Sequence, residues 1–285
     1  MFSAAEFAEA ESFAQKSIAT FNAAGVALKT SLAGPRTTLA NIAFARGNLH
    51  AAQMQYAQSD LAAAGMSPAP KASRYASQAR VFALLGQTPQ AMQLVQAARD
   101  EICTLTSAAS LDCATLTLAV ADVALICDEH TLADQALKSL SPASLKGAAQ
   151  INRAAQLKLR LALLTTPNLA SAQAYQSWVQ ATPEAGLALF YTRRQLLLSA
   201  QQLWLKDRAD SAKLLAQQAL NMTQRLPIQA PRSCVECAKE GNMDASLLAI
   251  WQARIDGTAT TPAMRAQLAL AMGENHPWVM QLASL

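Results

Sequence analysis

The sequence has few charged side chains, few aromatic rings and few residues that interrupt helices. Of its 285 residues, 15% are charged and 5% aromatic, and it contains 10 glycines, 11 prolines and 3 histidines. The glycines and prolines cluster between apolar segments, and the abundant alanine, leucine and glutamine favour helix. This composition predicts an all-α fold.

The sequence also lacks a concentrated block of charge and a long apolar run. The net charge of +4 is spread thinly, so we expect no nucleic-acid partner. No stretch reaches the roughly eighteen apolar residues of a membrane span. Glu6, Glu9 and Glu11 precede the first basic residue, Lys16, which is the reverse of a signal peptide. We therefore expect a cytoplasmic protein, or an extracytoplasmic one if the chain is a piece of a membrane-anchored protein.

Signatures of catalysis and metal binding are missing as well. His50, His130 and His276 lie far apart, and none has a metal-ligand partner three or four residues away. The sequence contains no zinc-protease motif, no nucleophile elbow and no phosphate-binding glycine loop. We expect neither an enzyme nor a cofactor or metal site.

Five cysteines are present, and their positions predict structural thiols. Cys103, Cys113 and Cys127 fall in apolar helical windows, where cysteine acts as a small hydrophobe. Cys234 and Cys237 form a CxxC pair, for which reduced thiols are the favoured interpretation. A disulfide and half of a zinc site remain the alternatives for this pair.

The most informative pattern that is present is a repeat of about 40 residues. Five alanines lie 39, 42, 39 and 40 residues apart, each five residues after a polar or turn-forming residue: Ala52, Ala91, Ala133, Ala172 and Ala212. Twelve positions earlier the sequence has Ala40, Ala79, Ala121, Arg160 and Ala200. A repeat of this length predicts stacked helix pairs, and small residues let the two helices of a pair approach closely.

The spacing of turns gives an expected domain organisation. We predict one long helix over residues 3–31 that ends at Gly34-Pro35, so that residues 1–34 pack on the first repeat. Five helix pairs then fill residues 35–226. Residues 227–285 form a degenerate sixth pair and capping helices, as terminal repeats commonly diverge.

The pattern of small residues resembles the tetratricopeptide repeat family. Ala79, Ala91 and Ala98, and likewise Ala200, Ala212 and Ala219, have the family's spacing of twelve and seven residues. The resemblance covers roughly residues 36–225 and implies a right-handed α-solenoid of five to six antiparallel pairs. The chain departs from the family in its longer repeat and in its mostly aliphatic side chains at the aromatic positions.

The C-terminal segment carries a second resemblance. The sequence from Met264 to Leu268 and from Gly273 to Pro277 is similar to the end of repeat regions attached to bacterial serine/threonine kinases and transcriptional regulators. This resemblance implies the regulatory part of a signalling protein.

Such a stack binds partners along its concave face, which its first helices line. The leading hypothesis is therefore a non-catalytic scaffold for a protein or peptide, and a second copy of the chain is another candidate partner. The alternatives are a sensor module with a small ligand in its groove and an enzyme with an unrecognised site. The candidate partner-binding residues are Arg153, Arg160, Tyr191, Arg194, Leu198 and Gln201. The alternative reading places Tyr191 in the core and the arginines in solvent.

Uneven charge adds an expectation about the partner. Residues 100–137 contain seven acidic side chains and no lysine or arginine, whereas residues 146–213 contain nine basic side chains against three acidic ones. If the basic excess gathers on the concave face, we expect an acidic partner.

Overall fold

The fold was analysed in a computed structural model that describes residues 4–23, 29–60, 67–182, 187–223 and 241–282. These residues form fourteen α-helices and one short 3₁₀ helix, Pro142–Ser144, and contain no strand. The helices are α1 Ala4–Ala23, α2 Lys29–Ala45, α3 Leu49–Asp60, α4 Pro68–Leu84, α5 Thr88–Thr106, α6 Leu111–Ile126, α7 His130–Ser139, α8 Ala148–Thr165, α9 Leu169–Ala181, α10 Leu187–Leu205, α11 Ala209–Thr223, α12 Met243–Ile255, α13 Pro262–Met272 and α14 Pro277–Gln281. None of the helices in the described ranges is long and apolar enough to cross a membrane.

In four turns between paired helices, the residue five positions before the repeat alanine has a positive φ. Gly47, Gly86, Asp128 and Asp207 all have positive φ, at +83°, +73°, +64° and +57°. A residue in this conformation ends a helix, and glycine or a short polar residue adopts it at the least cost. At Gly47 a side chain is also excluded by close packing, since a Cβ would lie 2.8 Å from Asn242 Oδ1.

One predicted helix boundary is wrong. Gly34-Pro35 does not break the chain, because α2 begins at Lys29 and continues through Pro35. Proline removes one helical hydrogen bond, but α2 is held along its length by contacts with α1 and α3. Ala33 and Ala40 lie on either side of the proline and are both buried.

The repeated alanines are buried where the paired helices meet. Ala40, Ala52, Ala79, Ala91, Ala121, Ala133, Ala172, Ala200, Ala212 and Ala219 have no exposed surface, and Ala98 is 3% exposed. Sequence-adjacent helices pack together in the pairs α2/α3, α4/α5, α6/α7, α10/α11 and α12/α13. The repeat alanines of the first four of these pairs are therefore buried, as is Ala172 on α9.

The chain divides into two compact units. Unit 1 comprises residues 1–65 and 179–285, and unit 2 comprises residues 66–178. Both divisions fall inside the run predicted as five consecutive pairs, residues 35–226. Each unit has its own set of helix contacts and is described separately.

Unit 2 is organised around α6. This helix contacts α4, α5, α7 and α8, and twelve of its sixteen residues are buried. Leu116, Val120 and Val123 have no exposed surface, and they join the side chains of the neighbouring helices in one hydrophobic cluster. A helix that is buried on all sides must satisfy every polar side chain it carries.

Unit 1 brings together helices that are far apart in sequence. Besides the contacts within pairs, α2 contacts α10, and α3 contacts α13. The turn after α2 is part of this packing, because the carbonyl of Gly47 accepts a hydrogen bond from Met243 N at 3.1 Å. The pair α2/α3 is thus packed against α10 and α13, which follow it by about 150 residues or more.

Two cysteines form a disulfide, which corrects the prediction that they are small hydrophobes. Cys103 near the end of α5 and Cys113 at the start of α6 are bonded, with their Cα atoms 4.8 Å apart. The turn at residues 107–110 folds the two helices back on each other and brings the thiols together. Cys127 remains a free, half-buried thiol, and burial raises its pKa. Cys234 and Cys237 lie outside the described residues.

We expect removal of this disulfide to destabilise the α5–α6 hairpin by about 2–3 kcal/mol, because the bond closes a short loop in the unfolded chain. The variant is Cys103→Ala/Cys113→Ala, and the measurement is native-state hydrogen exchange of the α5 and α6 amides. Oxidised and reduced wild-type protein provide the matched pair. Equal exchange protection in all three samples would contradict the prediction.

Candidate functional site

A buried carboxylate lies at the centre of unit 2. Asp122 is on α6, the most completely buried helix of the unit, and has no exposed surface. An ionised carboxylate in such a position is strongly unfavourable unless cations and hydrogen-bond donors surround it. The residues around Asp122 are therefore the first place to look for concentrated charge.

Three arginines converge on this carboxylate. Arg80 Nε of α4 lies 2.5 Å from Asp122 Oδ2, and Arg153 Nη2 of α8 lies 2.5 Å from the same oxygen. Arg160 Nη1, also on α8, lies 3.3 Å from Oδ1. Arg153 and Arg160 are seven residues apart, which places them on one face of the helix. We call Asp122 and these three arginines the arginine cluster.

The cluster keeps Asp122 ionised. Burial alone would raise the pKa of this carboxyl, but the guanidinium groups of Arg153, Arg80 and Arg160 outweigh burial and hold the pKa well below its ordinary value. Arg153 also donates from Nη1 to Gln156 Oε1 at 2.5 Å. Nearby Tyr175 is fully buried, and burial raises its pKa to about 12, so its hydroxyl stays neutral.

The members of the cluster differ in their access to solvent. Arg160 and Asp122 are completely buried, whereas 19% of the Arg80 side chain and 22% of the Arg153 side chain are exposed. Within the described part of the chain, Asp122 is the only acidic group paired with Arg80 or Arg153. Three cations thus share one anion, and two of the cations reach the surface of unit 2.

Two of the predicted binding residues belong to this cluster. Arg153 is half-buried, and its guanidinium is held by Asp122 and Gln156. The expectation that Arg160 extends into an open groove is wrong, because its side chain is buried against Asp122. At position 160 an arginine stands where the other repeats have alanine. It neutralises the buried carboxylate of Asp122 on α6, the first helix of the preceding pair.

The other four predicted residues lie on α10 in unit 1. Arg194, Leu198 and Gln201 are each 1% exposed, and Tyr191 is half-buried, with its ring centroid 5.7 Å from that of Phe44. The prediction that these side chains line an open face is therefore wrong for Arg194, Leu198 and Gln201. The helical spacing of these positions places them on one face of α10, and that face packs against other helices of unit 1.

Arg194 forms a second buried ion pair. Its Nε and Nη2 atoms donate to the two carboxylate oxygens of Asp244 at 2.8 and 3.0 Å, and Nη2 also donates to Phe44 O at 2.6 Å. Arg193 Nη2 donates to Asp244 Oδ2 at 3.2 Å. The arginine thus joins α10 to α12 and to the end of α2, which is a structural role.

Asp122 and Arg80 were missed by sequence reasoning, although a signal for them exists. Asp122 is the single charged residue between Cys113 and Cys127, in an otherwise apolar stretch. Both residues directly follow a repeat alanine on a first helix, Ala121 and Ala79. Asn41 and Gln201 also directly follow a repeat alanine. The Oδ1 atom of Asn41 accepts a hydrogen bond from the Tyr56 hydroxyl at 2.6 Å. The position after the small residue is a polar position in this repeat.

The described part of the chain does not offer a metal site as a second candidate. No group of three histidine, cysteine, aspartate or glutamate side chains in the described ranges could hold a metal ion. No profile of a known protein family matches the chain, and no curated protein matches it significantly. The function must therefore be argued from the arginine cluster itself.

Proposed function

We propose that the protein is a non-catalytic binding module that takes an acidic segment of a protein partner at Arg80 and Arg153. The observation that carries the proposal is the composition of the arginine cluster. Three guanidinium groups surround one carboxylate, and two of the three, those of Arg80 and Arg153, reach the surface.

The charge balance of the cluster favours an anionic ligand. Like charges held close together in a partly desolvated site repel each other more strongly than they do in water. A glutamate or aspartate of a partner would relieve this repulsion, and arginine forms strong, geometrically specific hydrogen bonds with carboxylates. Asp122 holds the guanidinium groups in place before the partner arrives, which lowers the entropic cost of binding.

We also propose that the helix pairs belong to a solenoid of the tetratricopeptide type. Support comes from the burial of the repeat alanines and from the pairing of sequence-adjacent helices. The packing of α2 and α3 against α10 and α13 is a departure from a stack in which each repeat contacts only its neighbours.

The disulfide favours an oxidising compartment as the location of this module. Structural disulfides persist in secreted, periplasmic and other extracytoplasmic proteins and are rare in the reducing cytosol. Of the two locations expected from the sequence, the Cys103–Cys113 bond therefore favours the extracytoplasmic one.

The proposal predicts that a glutamate peptide binds unit 2 through Arg80 and Arg153. The measurement is the fluorescence anisotropy of a labelled octaglutamate peptide, with an octaglutamine peptide as the uncharged reference. We expect Arg80→Gln/Arg153→Gln to weaken binding by at least about a hundredfold, because each of the two charge-assisted hydrogen bonds contributes about 1.5–3 kcal/mol. Binding should also weaken as salt concentration rises.

Two further variants make this test specific. Arg99→Gln removes a half-buried arginine of unit 2 that pairs with Asp100, and it should leave the affinity unchanged. Arg80→Lys/Arg153→Lys retains both charges but not the geometry of the guanidinium groups, so it should bind more tightly than the glutamine variant and more weakly than wild type. If the folded glutamine double variant binds octaglutamate as tightly as wild type, the proposed site is wrong.

A further inference from the structure

Arg254 is a buried cation in an unusual setting in unit 1. It lies on α12 and is 7% exposed. Its guanidinium carbon is 4.5 Å from the ring centroid of Trp204 and 4.8 Å from that of Trp251, and the two rings meet edge to face. Nη1 donates to Gln201 Oε1 at 3.0 Å.

The other edge of this guanidinium has no acceptor in the part of the chain that the structure describes. Arg254 Nε and Nη2, and also the buried indole Nε1 of Trp251, have no hydrogen-bond partner among the described residues. No acidic side chain in the described ranges forms an ion pair with Arg254. Burial lowers its pKa to about 10, which leaves the side chain charged at neutral pH. A buried cation without an anionic partner is costly, and stacking on the indole rings offsets part of that cost.

Arg194 provides a comparison within the same unit. It is 1% exposed and also stacks on an aromatic ring, that of Phe44, at 4.6 Å. Arg194 uses its Nε and Nη2 atoms to hold both oxygens of the Asp244 carboxylate. The same two donor atoms of Arg254 meet no carboxylate among the described residues, so the pair suits a planar anion supplied by a ligand.

We propose that the Nε and Nη2 edge of Arg254, whose guanidinium lies over the indole rings of Trp204 and Trp251, is a binding site for a carboxylate-bearing ligand. Gln201 fixes the opposite edge of the guanidinium, and the two indole rings keep the cation poorly solvated, which strengthens its attraction for an anion. Trp204 is the half-buried member of the group, so the ligand enters beside this ring. The site lies in unit 1 and does not depend on the arginine cluster of unit 2.

The test uses acetate as the probe and its neutral analogue acetamide as the reference. The readout is the ¹H–¹⁵N resonance of the Arg254 Nε–H group in the full chain, together with tryptophan emission. We expect acetate to shift this resonance in a saturable manner, and acetamide to require at least about tenfold higher concentration, since a charged hydrogen bond is worth about a tenfold factor or more.

Further arms identify the source of the carboxylate. N-acetyl-dialanine and its C-terminal amide are titrated in the same way. Comparable affinities for acetate and N-acetyl-dialanine assign the site to small organic acids, and at least tenfold tighter binding of the peptide acid assigns it to a peptide carboxyl terminus. Arg254→Gln should lose at least about tenfold in affinity for the better probe, whereas Arg265→Gln, which removes an arginine paired with Glu274 at the surface, should not.

The resonance of the wild-type protein keeps the test decisive even if Arg254→Gln folds poorly. The absence of a saturable Arg254 shift with either acid would overturn the proposal. Equal responses to acetate and acetamide, or full retention of binding in a folded Arg254→Gln variant, would overturn it as well.

Discussion

Replacing Asp122 with asparagine is expected to destabilise unit 2 by about 3–5 kcal/mol, the usual cost of removing one partner of a buried ion pair. The substitution preserves the shape of the side chain, so that the loss reflects charge and not a cavity. It leaves Arg160 buried and Arg80 and Arg153 partly buried without their shared anion. The measurement is native-state hydrogen exchange of the α6 and α8 amides, which reports opening within unit 2.

Asp134→Asn is the matched control for this prediction. Asp134 is an exposed aspartate of unit 2 that pairs with Lys138 four residues away, and such a pair contributes about 0.3–0.5 kcal/mol. The pH dependence gives a second check. Because the pKa of Asp122 is depressed in the folded state, its contribution to stability is complete above the unfolded pKa of about 3.9 and is lost as the pH falls below it. The difference between wild type and Asp122→Asn should therefore shrink below about pH 4.

Asp244→Asn is expected to destabilise unit 1 by about 3–5 kcal/mol, for the same physical reason at a different site. Asp244 is buried and accepts hydrogen bonds from both Arg193 and Arg194. Burial raises the pKa of this carboxyl, but Arg194 and Arg193 outweigh burial and lower it overall. Hydrogen exchange of the α10 and α12 amides measures the loss.

The control in unit 1 is Asp256→Asn. Asp256 accepts hydrogen bonds from Gln252 at the exposed end of α12, and its replacement should change stability by less than about 0.5 kcal/mol. If Asp244→Asn proved as mild as this control, the ion pair that joins α10 to α12 would not have the structural importance inferred for it. The depressed pKa predicts that the effect of Asp244→Asn, too, diminishes below about pH 4.

The helices and their pairing could be predicted from the sequence because both depend on local information. Alanine content favours helix, and a small residue repeated every 40 residues marks where paired helices meet. Ala79 and Ala91 have the predicted burial for this reason. The sequence predicts that the helix ends before Pro35, because proline tends to end helices. The structure differs because contacts of α2 with α1 and α3, which the sequence does not reveal, oppose this tendency.

The arginine cluster depends on relationships between distant residues, and these were only partly accessible. The sequence offers Arg153 and Arg160 as candidates, the latter because it interrupts the alanine pattern. Their partner Asp122 lies 31 and 38 residues earlier, and Arg80 a further 42 residues before that. A lone aspartate in an apolar helix signals a need for cations, but only the packing of α4, α6 and α8 identifies which arginines supply them.

The disulfide was missed for a related reason. Cys103 and Cys113 are ten residues apart and fall in two apolar helical windows, and either residue alone is consistent with a buried thiol. Their pairing depends on how the turn between α5 and α6 reverses the chain. Turn geometry of this kind is set by backbone conformation and packing, so spacing alone could not predict the bond.

The central claim is that Arg80 and Arg153 present surplus positive charge to an acidic partner. The most direct measurement is a titration of the full chain with octaglutamate, followed through the ¹H–¹⁵N resonances of the arginine Nε–H groups. We predict that the Arg80 and Arg153 resonances shift at lower peptide concentrations than that of Arg99, which is 33% exposed and has its own acidic partner, Asp100. Arg99 shifting at the same concentrations as Arg80 and Arg153, or no shift at Arg80 and Arg153, would contradict the account.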